Sequence, residues 1–410
     1  MILLTLLIFS LIVSTAYTKN LRRSVKNAPR TGTSPTQQSS LPNAQFPKVS
    51  VIVPAYNEAE NIRDCAIAIL ESTSLSVDNL EVLIVDDRST DDTLAIAQTL
   101  QQQLNDPRLK ILAGQARPAN QYWAGKNWAC AEAVQVATGD FLLFIDADVR
   151  LKLGAIETAI ATVETEKIDL LTCMPALVCD CFAEWLVQPL MFNHLAVCFD
   201  FTAVNDPTTD SAFAAGPFML FRRSAYDKIG GHAAVASEIV EDVELSRRIK
   251  RAGLKLALYA GSNLAFVRMY RSWSALWEGW TKNLYLGANR SWGMMVYMAA
   301  IMFFLYPMPW IGLFIILKQL ISLFPLPSSI PPWGGQGGVL LASSLLVIFV
   351  IWQQYNLRRL GAQISDCSTK YWWLGGLGGA LVAAIAIGSA IKTETGWGWT
   401  WRGRALQIKS

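Results

Sequence analysis

The sequence predicts an α/β fold: a mixed, mainly parallel sheet with helices on both faces, joined to membrane helices at the N-terminal and C-terminal ends of the chain. Three observations carry this. Apolar strand-like runs alternate with helix-like segments from Val49 onward. Polar clusters stand at the ends of three of those strands, where open α/β sheets bind ligands. Hydrophobic residues make up 52% of the chain and charged residues only 16%, and the charges concentrate in the α/β block, so the remainder is too apolar for a purely soluble protein.

Residues 1–17 carry no ionisable side chain and are followed by Lys19, Arg22, Arg23, Lys26 and Arg30. No basic region precedes the apolar stretch and no small-x-small cleavage site follows it, so we read an uncleaved anchor rather than a signal peptide. The basic flank assigns the downstream α/β block to the cytosolic side by the positive-inside rule. Residues 18–47 are rich in Ser, Thr, Pro, Gln and Asn and read as a flexible linker.

Val49 to Val53 is a buried strand, Glu58 to Ser72 a helix, Leu80 to Val85 a strand, Thr90 to Gln103 a helix, Leu109 to Ala113 a strand and Ala124 to Ala137 a helix. The next strand begins at Phe141 and delivers Asp146 and Asp148 one residue apart at its end. Alternate residues of an extended chain face the same way, so both carboxylates can address one hard cation. Ala214-Ala-Gly-Pro-Phe-Met-Leu220 is a small-residue turn into a strand, and its Gly216 lets a ligand approach the backbone closely. The run from Val240 opens an amphipathic helix with Glu241 and Asp242 at its start, where acids also serve simply to offset the helix dipole.

The segment 268–291 places Trp273, Trp277 and Trp280 at helical spacing among basic residues, which suits a helix lying in the membrane interface. The transmembrane region, 292–391, offers spans at about Trp292 to Leu317, Val339 to Trp352 and Trp372 to Ile391, the first interrupted by Pro307 and Pro309. An even number of C-terminal crossings would keep the aromatic and basic tail, 392–410, in the cytosol, as the positive-inside rule prefers. The seven cysteines are scattered and lack the paired spacing of a zinc site, so they read as reduced thiols. The net charge of +3, with no basic tract interleaved with aromatics, argues against a nucleic-acid partner.

Over roughly residues 48–260 these clusters together resemble the family 2 glycosyltransferases of the GT-A fold. The resemblance makes the block a nucleotide-sugar-binding catalytic domain, 48–267. It implies that Pro54, Ala55, Asn57, Glu58, Asp86 and Asp87 contact the donor nucleoside, that Asp146 faces the donor, and that Asp146 and Asp148 serve a Mg²⁺ or Mn²⁺ cofactor. Lys126, at the glycine-led helix start Gly125-Lys-Asn-Trp128, is placed to meet a diphosphate. The family's acidic pair supplies the catalytic base: Asp242 here, with Glu241 supporting it or contacting the acceptor. Gly216 and His232 are expected to line the acceptor or active site, and the tail residues Trp401, Arg402 and Arg404 to cap the active site at the membrane, with interfacial anchoring as the alternative. His194, in an apolar segment, reads as structural.

Within the family, Gly125-Lys126-Asn127-Trp128, Arg268-Met-Tyr-Arg-Ser-Trp273 and Lys282-Asn-Leu-Tyr-Leu-Gly287 look most like the hopanoid-associated and carotenoid branch. That implies a sugar passing from a nucleotide-sugar donor to a membrane lipid, an isoprenoid or other glycolipid hydroxyl. A processive polysaccharide synthase is the alternative, but its Gln-x-x-Arg-Trp element does not occur after the acidic pair. A catalytically silent scaffold is a further alternative, opposed by the presence of every carboxylate the reaction needs.

Overall fold

The computed structural model describes residues 1–32, 46–118, 121–323 and 336–406; most of the expected linker (33–45), the stretch 324–335 and the end of the tail (407–410) lie outside them. The chain forms two compact units: Asn27–Val178 with Phe199–Met269 and Arg402–Ser410, and Met1–Lys26 with Cys179–Cys198 and Tyr270–Trp401.

Helix α1 (Ile2–Asn27) opens the chain and passes through Thr18, where the sequence suggested a flexible linker. Tyr17, Leu21, Ser24 and Val25 are buried along it, a helical spacing hidden among the basic residues.

In the α/β unit, β1 (Val49–Ala55) leads to α2 (Ile62–Glu71), β2 (Leu80–Asp86), α3 (Thr93–Leu104), β3 (Leu109–Ala113), α4 (Gly125–Val136) and β4 (Phe141–Phe144). These four strands are parallel, with Ala55 beside Asp86, Asp86 beside Ala113, and Ile52 beside Phe144. The apolar runs of β1, β2 and β4 lie buried, as strands covered on both faces require, whereas β3, at the edge of the sheet, is buried only at Leu109. Both α2 and α3 start later than the pattern suggested. The residues ahead of them interlock as loops instead: Asn57 N–H donates to Ser89 Oγ at 2.9 Å, Thr90 N–H to Asn57 Oδ1 at 2.8 Å, and Glu58 N–H to Thr93 Oγ1 at 2.8 Å.

After β5 (Val149–Leu151), α5 (Ala155–Glu166), β6 (Leu170–Met174) and β7 (Ala176–Leu177), the chain makes α6 (Phe182–Cys198) in the other unit and returns. It continues with α7 (Phe201–Asn205), β8 (Met219–Arg222), α8 (Arg223–Lys228), α9 (Glu241–Arg251), β9 (Leu256–Ala260) and β10 (Ala265–Val267). The main sheet has seven strands in the order β3-β2-β1-β4-β8-β6-β9, and β8 runs antiparallel to both its neighbours. That reversal matters for function. Met219, the first residue of β8, pairs with Phe144, the last of β4, so the turn before β8 lies at the same sheet edge as Asp146.

One buried acid helps fix this sheet. Glu81 of β2 accepts from Ser50 Oγ at 2.7 Å and from Thr138 N–H at 2.6 Å, and pairs with Lys110 at 2.8 Å. Burial alone would raise its carboxyl, but these partners overcome burial and hold it at about 2. The unfolded chain takes up the proton near 4.5, so this stabilisation is present above that pH and drains away as pH falls toward about 2. Glu81→Ala is expected to cost about 2–4 kcal/mol by stranding its partners, read as a lowered thermal midpoint in detergent. Glu81→Gln, which keeps the shape, should cost less.

The second unit holds α1, α6, α10 (Trp273–Gly287), α11 (Trp292–Leu305), α12 (Pro307–Leu323), α13 (Gln336–Ser365) and α14 (Gly375–Thr395). Among the described residues, four stretches are long and apolar enough to span a membrane: Ile2–Asn27, Trp292–Ser322, Gly337–Ser365 and Trp372–Thr395. The second breaks at Tyr306, where Pro307 and Pro309 withdraw N–H donors. Gln354 answers the loss by donating to Leu305 O at 2.9 Å and Tyr306 O at 3.0 Å. The tryptophan stripe of 273–287 faces two ways. Trp273 is exposed, whereas Trp280 is buried with its indole N–H on Gln188 Oε1 at 2.6 Å, and Trp277 packs against Gly388. Packing against α14 claims the rest of the stripe that suggested an interfacial helix.

Candidate active site

Four chain segments meet at the carboxyl edge of β1, β2 and β4. Their centre is Lys126, in the first turn of α4, whose ammonium lies 2.8 Å from Asp146 Oδ1 and 2.7 Å from Glu241 Oε1. Burial opposes the charge on Lys126, but Asp146, Glu241 and Asp242 around it raise its pKa well above the ordinary value, so it is a fixed cation. Asn127 explains how α4 is aimed. Its buried side chain donates to Val235 O, Ala236 O and Glu238 O at 2.7, 3.2 and 2.8 Å, tying the helix start to the segment that leads into α9.

Asp242, near the start of α9, is held by two backbone donors: Gly216 N–H to Oδ2 at 2.9 Å and Val243 N–H to Oδ1 at 2.8 Å. A methyl group on Gly216 would stand 3.1 Å from both Asp242 Oδ2 and Lys126 Nζ, so a glycine keeps this approach open. Burial first and the like charge of Glu241 second push the Asp242 carboxyl up to about 7, against the pull of Lys126 and the two N–H donors. A carboxylate so placed is matched to proton abstraction near neutral pH. If Asp242 is the base it works ionised, so turnover should fall about tenfold per pH unit below about 7 and level off above it, measured as initial rate from pH 5 to 9.

Asp148 keeps one buried carboxylate oxygen, Oδ1, without a hydrogen-bond partner, and its pKa is raised by burial and then by the charges of Asp146 and Glu58. Among the described residues no three acidic, histidine or cysteine side chains converge as a ready metal cage. Asp148, with one carboxylate oxygen short of a partner, beside Asp146 nevertheless suits a divalent cation whose remaining ligands come from substrate phosphates and water.

The residues expected to contact the donor nucleoside gather beside this centre. Asp86 is buried and accepts from Ser89 N–H at 3.1 Å, while its Oδ1 has no partner. Asp87 N–H donates to Ala55 O at 2.7 Å, and the Asp87 carboxylate meets Arg117 at 2.8 Å and Arg404 at 2.5 Å. Glu58 pairs with Arg402 at 2.8 Å. Asn57, in the left-handed region at φ 54°, spends its side-chain oxygen on the loop. Pro54 lies within β1, paired with Val85.

One expectation changes. His232 is fully buried, with Nδ1 2.8 Å from the Tyr226 hydroxyl and its ring 4.7 Å from that of Phe144; burial lowers its pKa to about 3. It is a core residue, placed there by the tight turn of Gly230 and Gly231, and does not line the acceptor side. Arg402 and Arg404 lie against Glu58, Asn57 and Asp87, among the residues expected to contact the donor. Trp401 belongs to the other unit, with the Lys282 ammonium 4.0 Å from its ring centroid. The sequence does not single out Arg117, since one arginine in an irregular loop carries no periodic signal. Asn127 stands within a motif, but nothing in the sequence marks its tying role.

The chain belongs to glycosyl transferase family group 2, whose pattern matches residues 141–378; the glycosyl transferase family 2 pattern matches residues 50–230. It is 29% identical over 252 residues to the 4,4'-diaponeurosporenoate glycosyltransferase of Staphylococcus haemolyticus (strain JCSC1435), covering 59% of this chain and 62% of the relative. It is likewise 29% identical over 252 residues to the enzyme of that name from Staphylococcus aureus (strain USA300), covering 60% and 63%. The match thus spans under two thirds of the length of these curated relatives. Among solved structures, the Pyrobaculum calidifontis mannosyltransferase in complex with GDP-Man and Mn²⁺ superposes with a TM-score of 0.52 at 16% identity, covering 96% of this chain and 99% of that one. That likeness establishes the fold, GT-A, with the family.

Proposed function

We propose that this protein is an inverting glycosyltransferase that moves a sugar from a nucleotide-sugar donor to a membrane lipid acceptor, an isoprenoid or other glycolipid hydroxyl. The observation that carries the proposal is the Asp242 carboxylate, held by Gly216 and Val243 beside the Lys126–Asp146–Glu241 cluster and raised to the pH range of a general base.

An acceptor hydroxyl is a poor nucleophile, and Asp242 takes its proton as it attacks the anomeric carbon from the face opposite the diphosphate. Lys126 holds Asp146 and Glu241 in register and offsets negative charge gathered at the leaving group. Asp146 and Asp148 would hold Mg²⁺ or Mn²⁺, which when bound neutralises the departing diphosphate. The relatives, named for glycosylating a carotenoid acid, and the four candidate spans support a lipid acceptor at the membrane. The basic residues after the N-terminal apolar stretch support a cytosolic catalytic unit.

The test is to supply the detergent-solubilised protein with isotope-labelled nucleotide sugars and a membrane-lipid extract, and to identify labelled product by mass spectrometry and NMR. A glycosylated lipid with inverted anomeric configuration is expected. A water-soluble labelled polymer, or retained configuration, would overturn the assignment.

A further inference from the structure

We propose that the C-terminal Arg402-Gly403-Arg404 turn is part of the donor site, and that Arg404 joins Arg117 and Lys126 in a cationic cradle for the donor's diphosphate. The inference rests on the reading of the protein as a nucleotide-sugar enzyme.

The turn is built for this position. Arg402 and Gly403 both adopt left-handed backbone, at φ 49° and 81°, which folds the chain tightly enough to present both arginines to the loops after β1 and β2. Arg402 pairs with Glu58 at 2.8 Å and donates to Asn57 O, and Asn57 Nδ2 donates back to Arg402 O at 3.3 Å. Arg404 donates to Asp87 Oδ2 at 2.5 Å and to Asp87 O at 3.0 Å, with its guanidinium carbon 3.7 Å from the Tyr56 ring centroid.

Two guanidinium groups share one carboxylate at this point. A Cβ added to Gly125 would lie 2.5 Å from Asp87 Oδ2, 2.7 Å from Arg404 Nη1 and 3.0 Å from Arg117 Nη2, so both guanidinium groups crowd the first residue of α4. Among the described residues Asp87 is the carboxylate that pairs with both, and the helix N-terminus adds partial positive charge beside Lys126. The two bonds to Asp87 use two of the guanidinium's five N–H donors, and the Arg404 side chain is 28% exposed, which leaves donors facing outward. A second observation points to a ligand: the buried Asp86 Oδ1, one residue before Asp87, lacks a donor, which a ribose hydroxyl would supply. A nucleoside diphosphate presents a hydroxyl-bearing sugar and a doubly charged anion in that order.

The test measures binding of uridine, guanosine, UDP and GDP to the full-length detergent-purified protein with Mg²⁺, comparing wild type, Arg404→Ala and Arg404→Lys by calorimetry. Arg404→Ala is expected to weaken the diphosphate that wild type binds about 10- to 100-fold while leaving its nucleoside unchanged, with Arg404→Lys intermediate. Equal weakening of nucleoside and diphosphate would reduce Arg404 to a structural strut and overturn the proposal. Unchanged or tighter diphosphate binding would overturn it as well, the latter showing a tail that blocks the site. A wild-type protein that binds neither diphosphate would instead overturn the enzyme reading beneath it.

Discussion

Asp242→Asn is expected to lower kcat by about 10²–10⁴-fold while leaving nucleoside diphosphate affinity unchanged. Asparagine keeps the size of the side chain, but its one carbonyl oxygen can accept from only one of Gly216 and Val243, so a modest loss of stability should accompany the loss of the base while the fold holds. What disappears is the ability to take a proton, and with it the acid limb in the pH profile. Parallel measurements of turnover and of diphosphate binding separate the two roles. Substantial turnover by this variant would remove Asp242 as the base.

Lys126→Ala should be nearly as damaging, by a different route. The ammonium at 2.8 Å from Asp146 and 2.7 Å from Glu241 is what lets these acids and Asp242 coexist. Because Lys126 lowers the Asp242 pKa, its removal should carry the acid limb upward from about 7, by about one pH unit or more. Donor affinity should fall together with kcat. Lys126→Arg, which keeps the charge with altered geometry, should restore the limb but not the full rate. An acid limb that stays in place in the alanine variant would show that Lys126 is not coupled to the base.

Much of this site is legible in the amino-acid sequence. Strand ends are readable because apolar runs stop abruptly at Asp86 and Asp146, and parallel strands deliver those ends to one edge. Gly216 and Asp242 are legible as a small turn and an acidic helix start, but their meeting depends on β8 running antiparallel beside β4, and strand direction leaves no mark in a short apolar run. His232 misleads because a lone histidine near a glycine pair looks exposed, whereas the Tyr226 hydroxyl satisfies one ring nitrogen and so allows its burial. The tail arginines are recognisable as candidate site residues, yet nothing in the sequence says which groups they meet. Only the fold shows that Glu58 and Asp87, far away in sequence, are the acids they meet. In α1, lysines and arginines are good helix formers and conceal the buried spacing of Tyr17, Leu21 and Val25.

The most direct test of lipid glycosylation is diphosphate release by the purified protein, screened across nucleotide sugars with Mg²⁺ or Mn²⁺, with and without a membrane-lipid extract. Release that requires one donor class, a divalent cation and the extract, and that is lost in Asp242→Asn, is the predicted result. Release that proceeds equally without any lipid, or no release from a folded protein with any donor, would contradict it.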